Sequence, residues 1–202
     1  MTRKNLVGTA LALLTPVLVL AGCGSDSTGH DPGSTTGHPS AAAGAPSGGH
    51  NEADVTFAQG MIPHHQGAIE MAKLVHGRTT TPEVLDLASR IEKAQDPEIK
   101  TMTGWLTGWG AQVHTTGMPG MDHGSDQPGM GAAEMEALAQ ARDTEFDRMF
   151  LGMMIRHHQG AIEMANVELR HGANAEAKAL AQRIVDAQQA EITEMQGLLP
   201  PG

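Results

Sequence analysis

The chain has one cysteine, no tyrosine, two tryptophans and three phenylalanines in 202 residues, and 13 Lys and Arg against 23 Asp and Glu. Each scarcity excludes something. With Cys23 alone, no internal disulfide can form and no thiolate cage can hold a metal, so a site for a soft ion must be built from Met and His. The formal net charge of −10, with no Lys/Arg cluster, argues against a nucleic-acid partner. The apolar run from Leu6 to Leu20 is too short and wrongly flanked for a bilayer span. No nucleophile with a positioned base, no phosphate-cradling loop and no nucleotide motif is present, so the chain is not expected to be an enzyme.

That apolar run follows Arg3 and Lys4 and ends in Leu20-Ala21-Gly22-Cys23, which looks like a bacterial lipobox. Residues 1–22 are therefore expected to be a lipoprotein signal peptide, with Cys23 lipidated. The expected location is extracytoplasmic: anchored on the outer face of the cell membrane, or periplasmic. Residues 23–50 are Gly, Ser, Thr, Pro and Ala with scattered Asp and His, too poor in apolar groups to fold. They form a tether, whose His30, His38 and His50 are solvated linker residues.

What is plentiful is methionine and histidine, 13 and 11 residues, and their placement is not random. Met61-Ile62-Pro63-His64-His65-Gln66-Gly67-Ala68-Ile69-Glu70-Met71-Ala72 recurs as Met154-Ile155-Arg156-His157-His158-Gln159-Gly160-Ala161-Ile162-Glu163-Met164-Ala165, with only the third residue changed. On a helix, Asp54, Phe57, Met61, His64, His65, Ala68, Met71, Ala72 and Val75 fall on one half of the cylinder, with Gln66 and Glu70 behind. The same holds for Asp147, Phe150, Met154, His157, His158, Ala161 and Met164. Imidazoles and thioethers thus share an inward face.

The repetition extends beyond the motif. Helical periodicity runs from Glu52 to about His76, despite Pro63, and again from about Pro82 to Trp109 after a capping-type start at Thr80-Thr81-Pro82-Glu83. The second of these helices should bury Val84, Leu87, Ala88, Ile91, Ala94, Ile99, Met102 and Leu106. A third helix is expected from Ala132 to Arg170 and a fourth from Ala175 to Leu199. The shift from Phe57 to Phe150 is 93 residues (150 − 57), and Arg90-Ile91 matches Arg183-Ile184 at that shift. Two like hairpins, 51–110 and 132–199, joined by a Gly/Pro-rich loop at 111–131, can bury their apolar faces against each other. The expected fold is all-α, a four-helix bundle from a duplicated hairpin, with His64/His65 meeting His157/His158 in the core.

Copper(I) prefers soft donors, and thioether with imidazole suits it outside the cytoplasm, where free thiolates oxidise. The candidate ligands are Met61, His64, His65, Met71, Met154, His157, His158 and Met164. His64 and His65 stand about 100° apart on the helix and so should not serve one ion together; donors from a second helix are required. His114, Met118, Met121, His123 and Met130 lie in the loop, where no packing face requires methionine, and form a secondary set. Copper, as Cu(I) rather than Cu(II), is the expected ligand.

The pattern Asp-x-x-Phe-x-x-x-Met-Ile-x-His-His-Gln-Gly-Ala-Ile-Glu-Met-Ala, at Asp54–Ala72 and Asp147–Ala165, resembles the bacterial family called domain of unknown function 305, over about Asn51 to Leu199. The resemblance implies a ferritin-like four-helix bundle. It also implies, as in some exported members, copper held by Met and His, which again points to Met61, His64, His65, Met71 and their counterparts. The function expected is copper sequestration, storage or hand-over at the cell surface. Two alternatives stay open: a di-iron carboxylate enzyme, for which Glu168-Leu169-Arg170-His171 supplies one Glu-x-x-His, and a metal-free envelope interaction module. An envelope protein or a second copy of the chain remain open as further partners.

Overall fold

The computed structural model describes residues 49–113 and 131–199. They form five helices: α1 (Glu52–Leu74), α2 (Pro82–Trp109), α3 (Ala132–Gln140), α4 (Asp143–His171) and α5 (Ala175–Leu198). The signal segment, Cys23, His30 and His38, and the loop residues His114, Met118, Met121, His123 and Met130 lie outside the described residues. The four long helices make the expected bundle. α1 pairs with α2, α4 pairs with α5, and α1 packs on α4.

Local chemistry sets each start and stop. Asn51 caps α1 by accepting from the N–H groups of Ala53 and Asp54, and the Asp54 carboxylate accepts in return from Asn51 N–H at 2.6 Å. Pro63 costs one backbone donor but leaves the helix intact, because its side is held by packing. α2 starts on Pro82 and ends on Gly110, whose φ of +70° places it in the left-handed region that closes helices. Asn174 caps α5 through Glu176 and Ala177 N–H. Thr81 precedes α2 without capping it; its hydroxyl donates instead to Asp147 at 2.6 Å.

Two expectations are corrected. The third helix is not continuous: Ala141 and Arg142 are extended and Asp143 has φ of +51°, so α3 and α4 are separate. The break is a tertiary effect. Asp143 N–H donates to Arg78 O, Arg142 donates to Gly77 O, and Arg78 donates to Ala139 O, which pins the α3–α4 joint to the turn between α1 and α2. In α2, Ala94 is exposed and Gln95 is buried in its stead, because the inward seam follows Ile91, Gln95, Glu98 and Met102.

The core divides into two apolar clusters. One joins Met71, Val84, Leu87, Ile91, Phe150, Met154, Ile192 and Met195; the other joins Phe57, Met61, Met102, Leu106, Ala161, Ala165, Leu180 and Ile184. Each draws on α1, α2, α4 and α5, and each fully buried Phe, Leu, Ile or Met contributes about 1.5–3 kcal/mol. Between the clusters lies the middle of the doubled motif.

Two carboxylates clasp the hairpins crosswise. Asp54 on α1 accepts from Ala173 and Asn174 N–H at 3.1 and 2.9 Å, ahead of α5, while Asp147 on α4 accepts from Thr81, ahead of α2. α1 and α4 are therefore antiparallel, with Asn51 Nδ2 donating to His171 O. The clasps are unequal, since Asp54 satisfies three backbone donors and Asp147 accepts one hydroxyl. Asp54→Ala should destabilise the fold by roughly 2–4 kcal/mol and Asp147→Ala by about 1 kcal/mol in urea denaturation. Equal losses would contradict the unequal clasp.

Candidate metal centre

The inward face of each motif helix is as the periodicity predicts. Asp54, Phe57, Met61, His64, His65, Ala68, Met71, Ala72 and Val75 are all buried, as are Asp147, Phe150, Met154, His157, His158 and Ala161; Met164 is half-buried. Glu70 and Glu163 are exposed. The adjacent histidines of each motif, about a quarter-turn apart, go to different partners.

His64 and His157 meet across α1 and α4. Their ring centroids are 3.6 Å apart with planes inclined at 38°. This approach depends on glycine: a Cβ placed on Gly160 would lie 3.3 Å from His64 Nε2. The glycine of the second motif copy thereby gains a physical meaning. His65 and His158 do not join this pair in ring contact. Each turns within its own hairpin, His65 Nε2 to Glu98 Oε2 and His158 Nε2 to Glu191 Oε2, both at 2.7 Å.

The thioethers divide symmetrically. Met71 and Met154 lie in one apolar cluster; Met61 lies in the other, with Met164 packed against it. Met164 Sδ reaches across to α1, 3.5 Å from where a Cβ on Gly60 would stand. Met61 precedes His64, and Met154 precedes His157, by one helical turn, which puts each sulfur on the same side as the ring.

The imidazoles are short of hydrogen-bond partners. Nδ1 of His64, His65, His157 and His158, and Nε2 of His157, are buried and unpartnered among the described residues. Leaving a buried polar atom unpaired costs about 1–3 kcal/mol, so such a set in one layer calls for a ligand. Burial, together with the proximity of His65 and His158, pushes the His64 pKa down to about 3. His157 is pushed well below its ordinary value by burial and by the other three rings. Both are neutral imidazoles, the ligating form. Among the described residues no three His, Cys, Asp or Glu side chains are grouped to hold a metal. An ion in this layer would take imidazole together with sulfur, a donor set that fits copper(I) and is foreign to iron-carboxylate chemistry.

Four polar residues escaped the sequence reading. Glu98 and Glu191, with Gln95 and Gln188 one turn before them, sit on the inward seams of α2 and α5. Their signal was available: each falls on the apolar period and recurs at the 93-residue shift. Glu168, read from the sequence only as part of one Glu-x-x-His, takes a different place. It is fully buried beside Asp54, where burial, hydrogen bonding to Asp54 and the Asp54 charge push its pKa up to about 8. Burial also acts upward on Asp54, but the N–H groups of Asn51, Asn174 and Ala173 and the Glu168 carboxyl hold it below its usual range. Gly172 has no side chain because the Glu168 carboxyl occupies that space.

His50, placed in the tether by the sequence, stacks on Trp109 with centroids 4.7 Å apart.

A family model described as domain of unknown function (DUF305) matches residues 54–199. A DUF305 protein from Streptomyces coelicolor, of known crystal structure, is 34% identical, with 73% of this chain and 91% of that chain covered and a TM-score of 0.65. CopM in its Cu(II)-bound form is 36% identical, with 72% and 95% covered and a TM-score of 0.63. CopM has also been solved with Cu(I), with Ag and in the apo form. Uncharacterized protein L153 of Acanthamoeba polyphaga mimivirus is 42% identical over 53 residues, which span 26% of this chain and 35% of that protein.

The pKa directions set opposing pH windows. The unfolded chain protonates His64 and His157 near pH 6.5, whereas in the fold His64 stays neutral down to about pH 3 and His157 is likewise held well below its ordinary value, so stability falls as pH drops below 6.5. Glu168 keeps its proton in the fold up to about pH 8 but loses it near 4.5 when unfolded, so its contribution falls as pH rises through that interval. The parent's Tm should decline between pH 6.5 and 8, and Glu168→Gln should abolish that decline. Parallel curves for the two proteins would show that Glu168 does not hold the proton.

Proposed function

The chain belongs to the DUF305 family, and on that footing we propose that it is an extracytoplasmic copper-binding protein that takes up Cu(I) through imidazole and thioether and stores it or passes it on. The observation that carries this reading is the buried His64–His157 contact, in which Nδ1 of both rings and Nε2 of His157 lack partners among the described residues and which lies between two thioether-bearing clusters. Copper there would complete the unpaired imidazoles without adding a buried net negative charge. Met61, Met71, Met154 and Met164 supply sulfur, which has no proton to lose and so stays competent in mild acid. His65 and His158 complete the donor set.

Copper-bound CopM, similar over nearly its whole length, supports copper as the ligand. The signal-like segment at residues 1–22 and the lipobox-like Leu20-Ala21-Gly22-Cys23 support export and anchoring by lipid at Cys23. In this reading the loop set His114, Met118, Met121, His123 and Met130 collects the ion before it reaches the core. On this reading the role is to bind the ion rather than to transform a substrate.

Protein lacking residues 1–22 should bind Cu(I) in competition with a chromophoric chelator, and its Tm should rise with bound Cu(I) or with Ag(I), a redox-stable substitute. His64→Ala/His157→Ala should weaken binding by more than about 100-fold, beyond the loss typical of an outer partner. Unchanged affinity in that variant would remove the imidazole pair from the site.

A further inference from the structure

The carboxylates that face His65 and His158 have no role in the reading above. Glu98 lies on α2 and Glu191 on α5, each one hairpin partner away from its histidine, and each carboxylate is largely buried, with 23% and 15% of the side chain exposed. The two contacts are equivalent under the internal repeat, with the same atoms at the same 2.7 Å. An arrangement that appears twice, at equivalent positions of the two hairpins, is not incidental packing.

The chemistry of that contact fixes a tautomer. A carboxylate only accepts, so the ring nitrogen facing it must carry the proton. In the neutral ring, Nε2 of His65 and of His158 is therefore the N–H, and Nδ1 carries the lone pair. Nδ1 is the atom that is buried and unpartnered in both rings. The rings are also close to the central pair, since His65 and His158 both act electrostatically on His64 and His157. A carboxylate on the far nitrogen is the usual means of orienting a metal-bound imidazole and raising its basicity.

We propose that Glu98 and Glu191 are positioning residues: they hold His65 and His158 with the proton on Nε2, so that Nδ1 of each ring presents its lone pair to a soft cation in the central layer. The proposal rests on the copper reading above for its ligand. It adds a functional reason for a carboxylate on the inward seam of each of α2 and α5. It also explains why consecutive histidines are useful: one ring of each motif meets its twin across the bundle, and the next is oriented by its own hairpin.

The test has two arms. In metal-free protein, long-range 1H–15N spectra should show His65 and His158 as neutral Nε2–H tautomers at pH 7, and Glu98→Ala and Glu191→Ala should each shift its own ring toward a tautomer mixture. Glu98→Gln and Glu191→Gln, whose amide oxygen still accepts from Nε2–H, should retain the tautomer. Cu(I) affinity should fall on the order of 10- to 100-fold in Glu98→Ala/Glu191→Ala and recover most of that loss in the double Gln variant. A proton on Nδ1, or an imidazolium, in the parent protein would overturn the proposal. So would parent-like copper affinity in the double Ala variant while His64→Ala/His157→Ala weakens it, a result that leaves the copper reading standing. Failure of the parent to bind Cu(I) at all would overturn both. Should the Ala variants unfold, the parent tautomer and the Gln variants still decide.

Discussion

Two imidazoles held at van der Waals separation in the middle of an antiparallel helix pair are the constraint to which the rest of the structure answers. A charge on either ring would be buried beside another imidazole, so both stay neutral. Small residues must lie opposite, hence Gly160 against His64. The helix axes must keep their register along their length, which the Asp54 and Asp147 clasps provide at the two ends. Apolar clusters above and below keep water from the layer and bring methionine sulfur to its edges.

Duplication makes this arrangement economical. A motif that places histidine and methionine on one face becomes a two-sided site once its copy packs against it, with each hairpin supplying the carboxylate for its own outer histidine. The copies have since diverged at their ends. Glu168 replaces the position held by Val75 in the first repeat and introduces a buried acid next to Asp54. Arg156 stands for Pro63, and its guanidinium reaches Glu134 on α3. The mid-layer chemistry stayed common to both copies while the helix ends took on separate tasks.

Much of this could be read from the chain. Periodicity alone placed the nine inward residues of α1 correctly, because a 3.6-residue repeat carried by large apolar and aromatic groups leaves little freedom. The bundle followed from two hairpins with one apolar face each. What was not legible depended on contacts between distant segments. The α3–α4 break at Ala141 and Arg142 is set by Arg78, more than sixty residues away, and no local breaker marks it. Ala94 was assigned inward by its apolar character, whereas the seam runs through Gln95 and Glu98; a carboxylate on a core seam is unreadable until its histidine is known. The pairing of Glu168 with Asp54 is of the same kind.

The account therefore stands on sulfur and imidazole acting together on one ion. X-ray absorption at the copper edge, on protein loaded with one equivalent of Cu(I), addresses that most directly. The predicted spectrum has both sulfur and nitrogen scatterers in the first shell, with the sulfur contribution at the Cu–thioether distance. A shell of oxygen and nitrogen without sulfur would contradict it.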